Sequence, residues 1–259
     1  MGNFKFKRHD EGTNYVLLSA SITTLIVIFL LLIGVLGYRY NIFSAGYSLL
    51  FLTKYALYIS ILSFALALIS IGYTFKLYKK FINFMLSFFI LFFNITIIIF
   101  FYIQILDLRS NPLINDISTD YNELLKFKVN VEHNLPEEEH YLIQKFGGFK
   151  MPNYYLKPLV LSNISKETVF NESLLTLKNM GLEITYTNLE EGIIEALEES
   201  FWYKFKDDMI IKIEELVSGN IMVNVRSASR TGKSDFGKNS HRIKSFFILV
   251  EKKIGIINK

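Results

Sequence analysis

The sequence predicts a two-part protein. An α-helical transmembrane anchor of three helices comes first, followed by an α+β domain with an antiparallel sheet of about five strands and two helices packed on one face. Three observations predict this. Charge is unevenly spread: residues 1–105 carry 8 Lys/Arg and 2 Asp/Glu, whereas residues 106–259 carry 20 and 22. The formal charge of +4 is thus a basic part of +6 joined to a mildly acidic part of −2. Three long stretches of the first part hold no charged side chain. Beyond residue 155, apolar residues alternate with period two in some runs and recur at helical spacing in others. Such unequal parts exclude a single water-soluble domain and a disordered chain, and the absence of cysteine excludes a disulfide-stapled scaffold.

The uncharged stretches are Gly12–Tyr38, Tyr55–Phe75 and Phe81–Leu106. Each exceeds the roughly 20 apolar residues that span a bilayer core. Spans are therefore expected near 15–37, 49–74 and 82–105. The runs are continuous rather than alternating, which argues against a membrane barrel. The first run is longer than the roughly 7–15 residues of a signal-peptide core and has no small-x-small cleavage pattern, so it reads as an uncleaved anchor. Lys5, Lys7, Arg8, Lys76, Lys79 and Lys80 flank the spans on one side, and Arg39, Lys54 and Arg109 on the other. That imbalance puts the N-terminus in the cytoplasm. The C-terminal domain is then expected outside the inner (plasma) membrane, in the periplasm of a Gram-negative bacterium or an equivalent extracytoplasmic compartment of the envelope. Tyr15, Tyr38, Tyr40, Tyr47, Tyr73, Tyr78 and Tyr102 fall near the span ends, as in an aromatic belt. No Asp or Glu lies within a span, which argues against a transport path. Asn94 and Thr96 are expected to hydrogen-bond a neighbouring helix, and the bundle offers a route to a homo-oligomer.

The domain boundaries read 1–106 for the membrane part, 107–150 for a connector and 151–259 for the α+β domain. Arg109–Pro112 breaks the third helix. In the connector, Glu132–His140 holds two histidines among four glutamates. Its spacing fits no standard zinc or calcium pattern and Pro136 interrupts it, so it reads as an acidic loop and implies no metal or cofactor. Lys157–Leu161 reads as a strand. Ser165 caps a helix carrying Phe170, Leu174 and Leu177 up to the glycine stop at Gly181. Strands follow at Leu182–Thr187, Ile193–Glu198, Met209–Glu214 and Ile221–Ala228, the last two joined by a tight turn at Ser218–Asn220. Ile221, Val223 and Val225 face one way, Asn224 and Arg226 the other. A final helix over 239–254 presents Ile243, Phe246, Phe247, Val250 and Ile254 on one face. Trp202, Tyr203 and Phe205 form an aromatic group expected to pack in the core or at a strand edge, the alternative being a ligand wall.

The densest chemistry follows Val225: Arg226-Ser227-Ala228-Ser229-Arg230, then Gly232, Asp235-Phe236-Gly237-Lys238-Asn239 and Arg242. Together with Phe205-Lys206-Asp207-Asp208 and Asp116-Ile117-Ser118-Thr119-Asp120, this run resembles the signature of the domain-of-unknown-function 1499 family over roughly residues 113–255. Members usually continue the first of these motifs with a proline pair before an aromatic; this chain has Leu124-Leu125-Lys126-Phe127. The resemblance implies a domain without an assigned activity.

The residues themselves leave three readings. In one, Arg226 and Arg230 pair with Asp207, Asp208 or Asp235 and pin the strand end to the last helix. In another, Arg226, Ser227, Ser229, Arg230, Asp235, Asn239 and Arg242, supported by Asp207 and Asp208, bind an anion beside a helix N-terminus capped by Asn239. Its ligand would be an anionic small molecule or a lipid head group. In the third, the same Asp/Arg cluster serves an envelope hydrolase or lipid-modifying enzyme. No nucleophile–base pair is evident, because Ser240 and His241 are adjacent on a helix, and no residue is assigned a catalytic role. The expected function is a membrane-anchored envelope protein that binds an anionic ligand, lipid or partner protein without catalysis. Nucleic acid is excluded as a partner by the acidic balance of the domain and its expected side of the membrane.

Overall fold

The computed structural model describes residues 14–76, 81–111, 113–130 and 156–255. Lys5, Lys7, Arg8, Tyr78, Lys79, Lys80 and the Glu132–His140 run lie outside the described residues. The chain divides into two units, Met1–Ile105 and Leu106–Lys259.

The first unit is helical: α1 (Tyr15–Arg39), a π-helical segment Tyr47–Leu52 running directly into α2 (Thr53–Lys76), and α3 (Phe81–Ser110). The Asn14 side chain caps α1 by accepting from the Leu17 N–H at 3.0 Å. All three helices are long and apolar enough to cross a membrane. At 1.5 Å per residue, even the 24 residues of α2 cover ~36 Å against a core of ~30 Å.

The polarity of this unit runs opposite to that of a soluble bundle. Beside Leu17, Val27 and Ile90, its buried positions are mostly small or polar: Ala20, Thr24 and Gly34 on α1, Ser60, Ser63, Ala67 and Ser70 on α2, Ser87 and Asn94 on α3. Its exposed surface is large and apolar, including Leu25, Phe29, Ile61, Phe89 and Phe92. Water would penalise that arrangement, whereas lipid favours close backbone packing over small residues with hydrogen bonds inside. Asn94 is the hub. Its Nδ2 donates to Thr24 Oγ1 at 2.9 Å, Ser63 Oγ at 3.3 Å and its own helix at Ile90 O, while Ser60 Oγ donates to its Oδ1 at 3.0 Å. One side chain thereby joins all three helices. Thr96, expected to do the same, instead donates to Phe92 O of its own helix at 2.9 Å from an exposed position. A hydroxyl on a helix reaches the i−4 carbonyl more readily than a neighbour on the far side.

The second unit follows the sequence pattern closely: β2 (Leu159–Leu161), α4 (Lys166–Asn179), β3 (Glu183–Asn188), β4 (Ile193–Glu199), β5 (Lys206–Glu215), β6 (Ile221–Ser229) and α5 (Lys238–Ile254). To these the structure adds β1 (Asp116–Ser118), too short for its alternation to be read and lying in the stretch taken as connector. The sheet is antiparallel, with order β1-β6-β5-β4-β3. β2 pairs the first half of the β6 edge and β1 the second half, so two short strands cover one long edge.

Period-two alternation gives the sheet two different faces. Ile194, Ala196, Met209, Ile211, Ile213, Val223 and Val225 form the core with Val169, Phe170 and Leu177 of α4 and Ile243, Phe246 and Val250 of α5. Under the other face lie Glu195, Asp208, Ile210 and Arg226, all buried. They are covered by the segment that follows β1, which crosses from Thr119 to Asn130 as a strap. Thr119 N donates to Val225 O at 2.9 Å and Val225 N donates to Thr119 Oγ1 at 2.8 Å. Further along, the Glu195 carboxylate accepts the backbone N–H groups of Lys128, Val129 and Asn130. Gly192, before β4, has φ +70°, and a Cβ there would meet Ile213 O at 2.0 Å, so the turn admits only glycine.

Asn94→Leu is expected to weaken the helical unit by about 0.6–1.7 kcal/mol, the range for interhelical hydrogen bonds in membranes. Titration with SDS of the full chain in mixed micelles would measure it, and an unchanged unfolding midpoint would mean that Thr24, Ser60 and Ser63 satisfy one another without it.

Candidate functional site

The signature arginines stand where β6 and the loop after it place them, and alternation separates them. Even-numbered Arg226 leaves β6 toward the strap, with Arg230 beyond the strand on the same side; Arg242 reaches from α5 on the helix side. They meet their carboxylates at one end of the sheet, but on its two faces, because neighbouring positions of a strand point to opposite sides.

On the strap side, Arg226 holds Asp116 in a two-point bond, Nε to Oδ1 at 3.1 Å and Nη2 to Oδ2 at 2.8 Å. Its Nη1 donates to Leu125 O at 2.6 Å, and its Cζ lies 5.3 Å from the centre of the Phe127 ring. The sequence had assigned this arginine to Asp207, Asp208 or Asp235; β1 brings Asp116 opposite Ala228 and supplies the partner instead. Beside it the Tyr121 hydroxyl accepts from the Ser118 N–H at 3.1 Å, and burial pushes that phenol far above its ordinary range. Arg230 makes a second two-point bond with Asp208, at 2.6 and 2.7 Å.

On the helix side, Arg242 donates to Asp207 Oδ2 at 2.7 Å and to Glu198 Oε2, while its Nη1 donates to Ser227 Oγ at 2.9 Å and to Asn239 Oδ1. Glu198 was not singled out from sequence, although its position two residues after Ala196 on the core face was a sufficient signal. Asn239 is not the cap. It lies inside α5 and donates to Asn115 O at 2.8 Å and Ser229 Oγ at 3.0 Å, tying β1, β6 and α5 together. The N-cap is Gly237, in the left-handed region at φ +80°, and the first-turn donors are taken by Asp235, which accepts from Gly237 N at 2.8 Å and Asn239 N at 2.7 Å. Burial raises the Asp235 carboxyl above its ordinary range against these two donors.

Both donor sets that an anion would use, the guanidiniums and the N-terminus of α5, are thus engaged by carboxylates of the same chain. Ser227 Oγ donates at 2.8 Å to an amide oxygen, Asn239 Oδ1, which is no base. Among the described residues no three His, Asp or Glu side chains gather as a metal would need. Of the aromatic group, Tyr203 and Phe205 stack at 5.2 Å and are half-buried, but Trp202 is 67% exposed, against the expectation of a packed cluster.

Three helices of membrane-spanning length followed by a six-stranded antiparallel sheet with two helices on one face define a class: an α+β domain carried behind an apolar helical bundle. Within that class, residues 116–249, more than half of the chain, match the family described as "Protein of unknown function (DUF1499)", and the chain belongs to that family. No curated protein matches the chain.

The pairs differ in worth. Arg226 and Asp116 side chains are 3% and 4% exposed, whereas Glu198 is 46% exposed. Asp116→Asn strands a buried guanidinium and is expected to cost about 3–5 kcal/mol. Glu198→Gln leaves Arg242 its Asp207 and is expected to cost less than about 1 kcal/mol. Denaturant unfolding separates the two, and equal losses would refute this ranking. Asp235 sets a pH dependence. Its folded pKa is raised, so its contribution to stability is complete below the ordinary carboxylate range and is lost as pH rises through the raised value. The stability penalty of Asp235→Asn is therefore expected to shrink as pH rises through that window.

Proposed function

We propose that this chain is a non-catalytic protein of the cell envelope. In this reading α1–α3 anchor it in the inner (plasma) membrane with the N-terminus cytoplasmic, and the α+β domain lies outside, in the periplasm of a bacterium of that type. We place the domain boundaries near 106 and 150, with β1 and the strap serving the α+β domain although they precede the second boundary. The domain binds its anionic ligand, lipid or partner protein on its exposed surface, and the arginine signature is the frame that shapes it.

The observation that carries this reading is that Arg226, Arg230 and Arg242 each hold at least one carboxylate of their own chain. An enzyme using the Asp/Arg cluster needs a carboxylate released to work on substrate, and Asp116, Asp207 and Asp208 are each held in these pairs. Orientation is supported by the basic residues flanking the first and second spans.

The chain has no cysteine, so single-cysteine labelling reads topology cleanly. Val217→Cys, at a fully exposed turn, is expected to react with a membrane-impermeant maleimide in cells whose inner membrane is intact. Labelling only after that membrane is opened would reverse the orientation. Inorganic phosphate is expected to leave the thermal midpoint of the full chain unchanged. A phosphate-dependent rise that Arg230→Ala abolishes would make the signature an anion site and overturn its role as frame.

A further inference from the structure

Two of the largest apolar side chains of the α+β unit are held out of its core. Phe201 and Trp202, in the β4–β5 loop, are 78% and 67% exposed and meet edge to face at 5.2 Å. The loop is not slack. Ser200 N donates to Phe205 O at 2.8 Å, Lys204 N to Ser200 O at 3.0 Å, and Phe205 N to Ser200 Oγ at 2.8 Å. Lys204 takes a left-handed φ of +59° to close the turn, and the stacked Tyr203 and Phe205 form its base. Hydrogen bonds and backbone strain are thus spent on presenting an apolar tip, which is wasteful in water alone.

The sheet register says where that tip lies. β4 ends at Glu199 opposite Lys206, β5 begins there, and Asp207 lies opposite Ser229 at the end of β6. Asp116, the first residue of β1, lies opposite Ala228. The tip therefore shares the sheet end at which the chain arrives from α3. Exposed Leu113 precedes β1 at that end, and exposed Phe236 belongs to the loop that leaves β6 there. In sequence, only residues 111–115 separate α3 from β1.

Charge agrees. Lys206, Lys233 and Lys238 stand at this end and make no ion pair among the described residues. Most carboxylates there are committed: Asp116, Asp207, Asp208 and Glu198 to arginines, Glu199 to Lys204, and Asp235 to the α5 N–H groups, while Glu183 at the start of β3 is exposed. The opposite end carries Glu190, Glu191, Glu214 and Glu215 in or beside its turns, with Lys128 paired to Glu191 and Lys212 to Glu214. Aromatic side chains prefer the headgroup level of a bilayer, and lysines beside them meet lipid phosphates.

We propose that this sheet end is a lipid-contact surface, with Phe201 and Trp202 entering the bilayer interface and Lys206, Lys233 and Lys238 meeting phosphate headgroups. It rests on the reading that α1–α3 are inserted, and it names a lipid surface as what the exposed face of the domain engages.

Trp202 is the one tryptophan of the chain, so the unmodified protein reports on the tip. The full chain is placed in nanodiscs of phosphatidylcholine and phosphatidylglycerol and Trp202 fluorescence is recorded. Expected are a blue-shifted emission, loss of most of it when the acyl chains are brominated, and protection from aqueous acrylamide. The double variant Lys233→Glu/Lys238→Glu is expected to lose much of the bromolipid quenching in these discs. Emission open to acrylamide and indifferent to bromolipid overturns the proposal, as does acrylamide protection without bromolipid quenching, which would give the tip to a protein contact. Failure of the insertion reading has a separate signature: the chain would not stay with the discs at all.

Discussion

The α+β unit hangs on one buried ion pair. Arg226 and Asp116 sit on strands 110 residues apart in sequence, and their two-point bond closes the three residues of β1 onto β6, with Asn115 and Thr119 adding one backbone bond at each end. Three residues of edge strand would not hold by themselves. The same guanidinium also grips Leu125 O and lies over Phe127, so one side chain orders both the last strand of the sheet and the strap behind it. Without the strap, Glu195 and Asp208 would face water from the middle of a sheet, and the second face of the domain would lose its cover.

Burial of this pair is not a simple gain in stability. Removing two charges from water costs several kcal/mol per ion, and apolar residues of similar volume often do as well. What an apolar pair cannot do is choose a register. A one-residue slip of β1 along β6 would turn Asp116 away from Arg226 and leave both charges buried without partners, a far larger penalty than losing an apolar contact. Arg242 does the matching work on the other face, where it and Asn239 fix α5 against β1, β4, β5 and β6 through side chains of defined geometry. The signature therefore reads as two locks on two faces of one strand end, with Ser227 and Ser229 facing one lock and Arg226 belonging to the other.

Most of the architecture was legible because it follows from periodicity. The three spans, the long strands and both helices of the α+β unit lie within a few residues of their expected places, since each carries enough residues for an alternation or a helical stripe to stand out. β1 escaped because three residues carry no period. The strap escaped because it has no regular structure and is held by backbone donors to Glu195, which leave no mark in a sequence pattern. The pairing of the arginines was half legible: carboxylate partners were expected, but sequence proximity favoured Asp207 and Asp208, and the partner of Arg226 arrives from the other end of the unit. Asn239 looked like a cap because it precedes an apolar stripe; instead Asp235, four residues earlier, takes the N–H groups of Gly237 and of Asn239 itself through the left-handed turn at Phe236 and Gly237.

The two units solve the solvent problem in opposite ways, and the contrast bears on the aromatic tip. In the helical unit, large side chains outside and hydroxyls inside make sense only if the surroundings are apolar. In the α+β unit the core is apolar and the buried charges beside it are individually satisfied, as Glu195 is by three backbone donors. Other apolar side chains of the unit are exposed as well, Val160 and Ile248 among them, but Phe201 and Trp202 are large rings on a loop braced to hold them out. A unit that satisfies its buried carboxylates one by one has no packing reason to leave its only indole in water. A braced loop that holds two aromatic rings outward is consistent with an apolar surrounding for that tip.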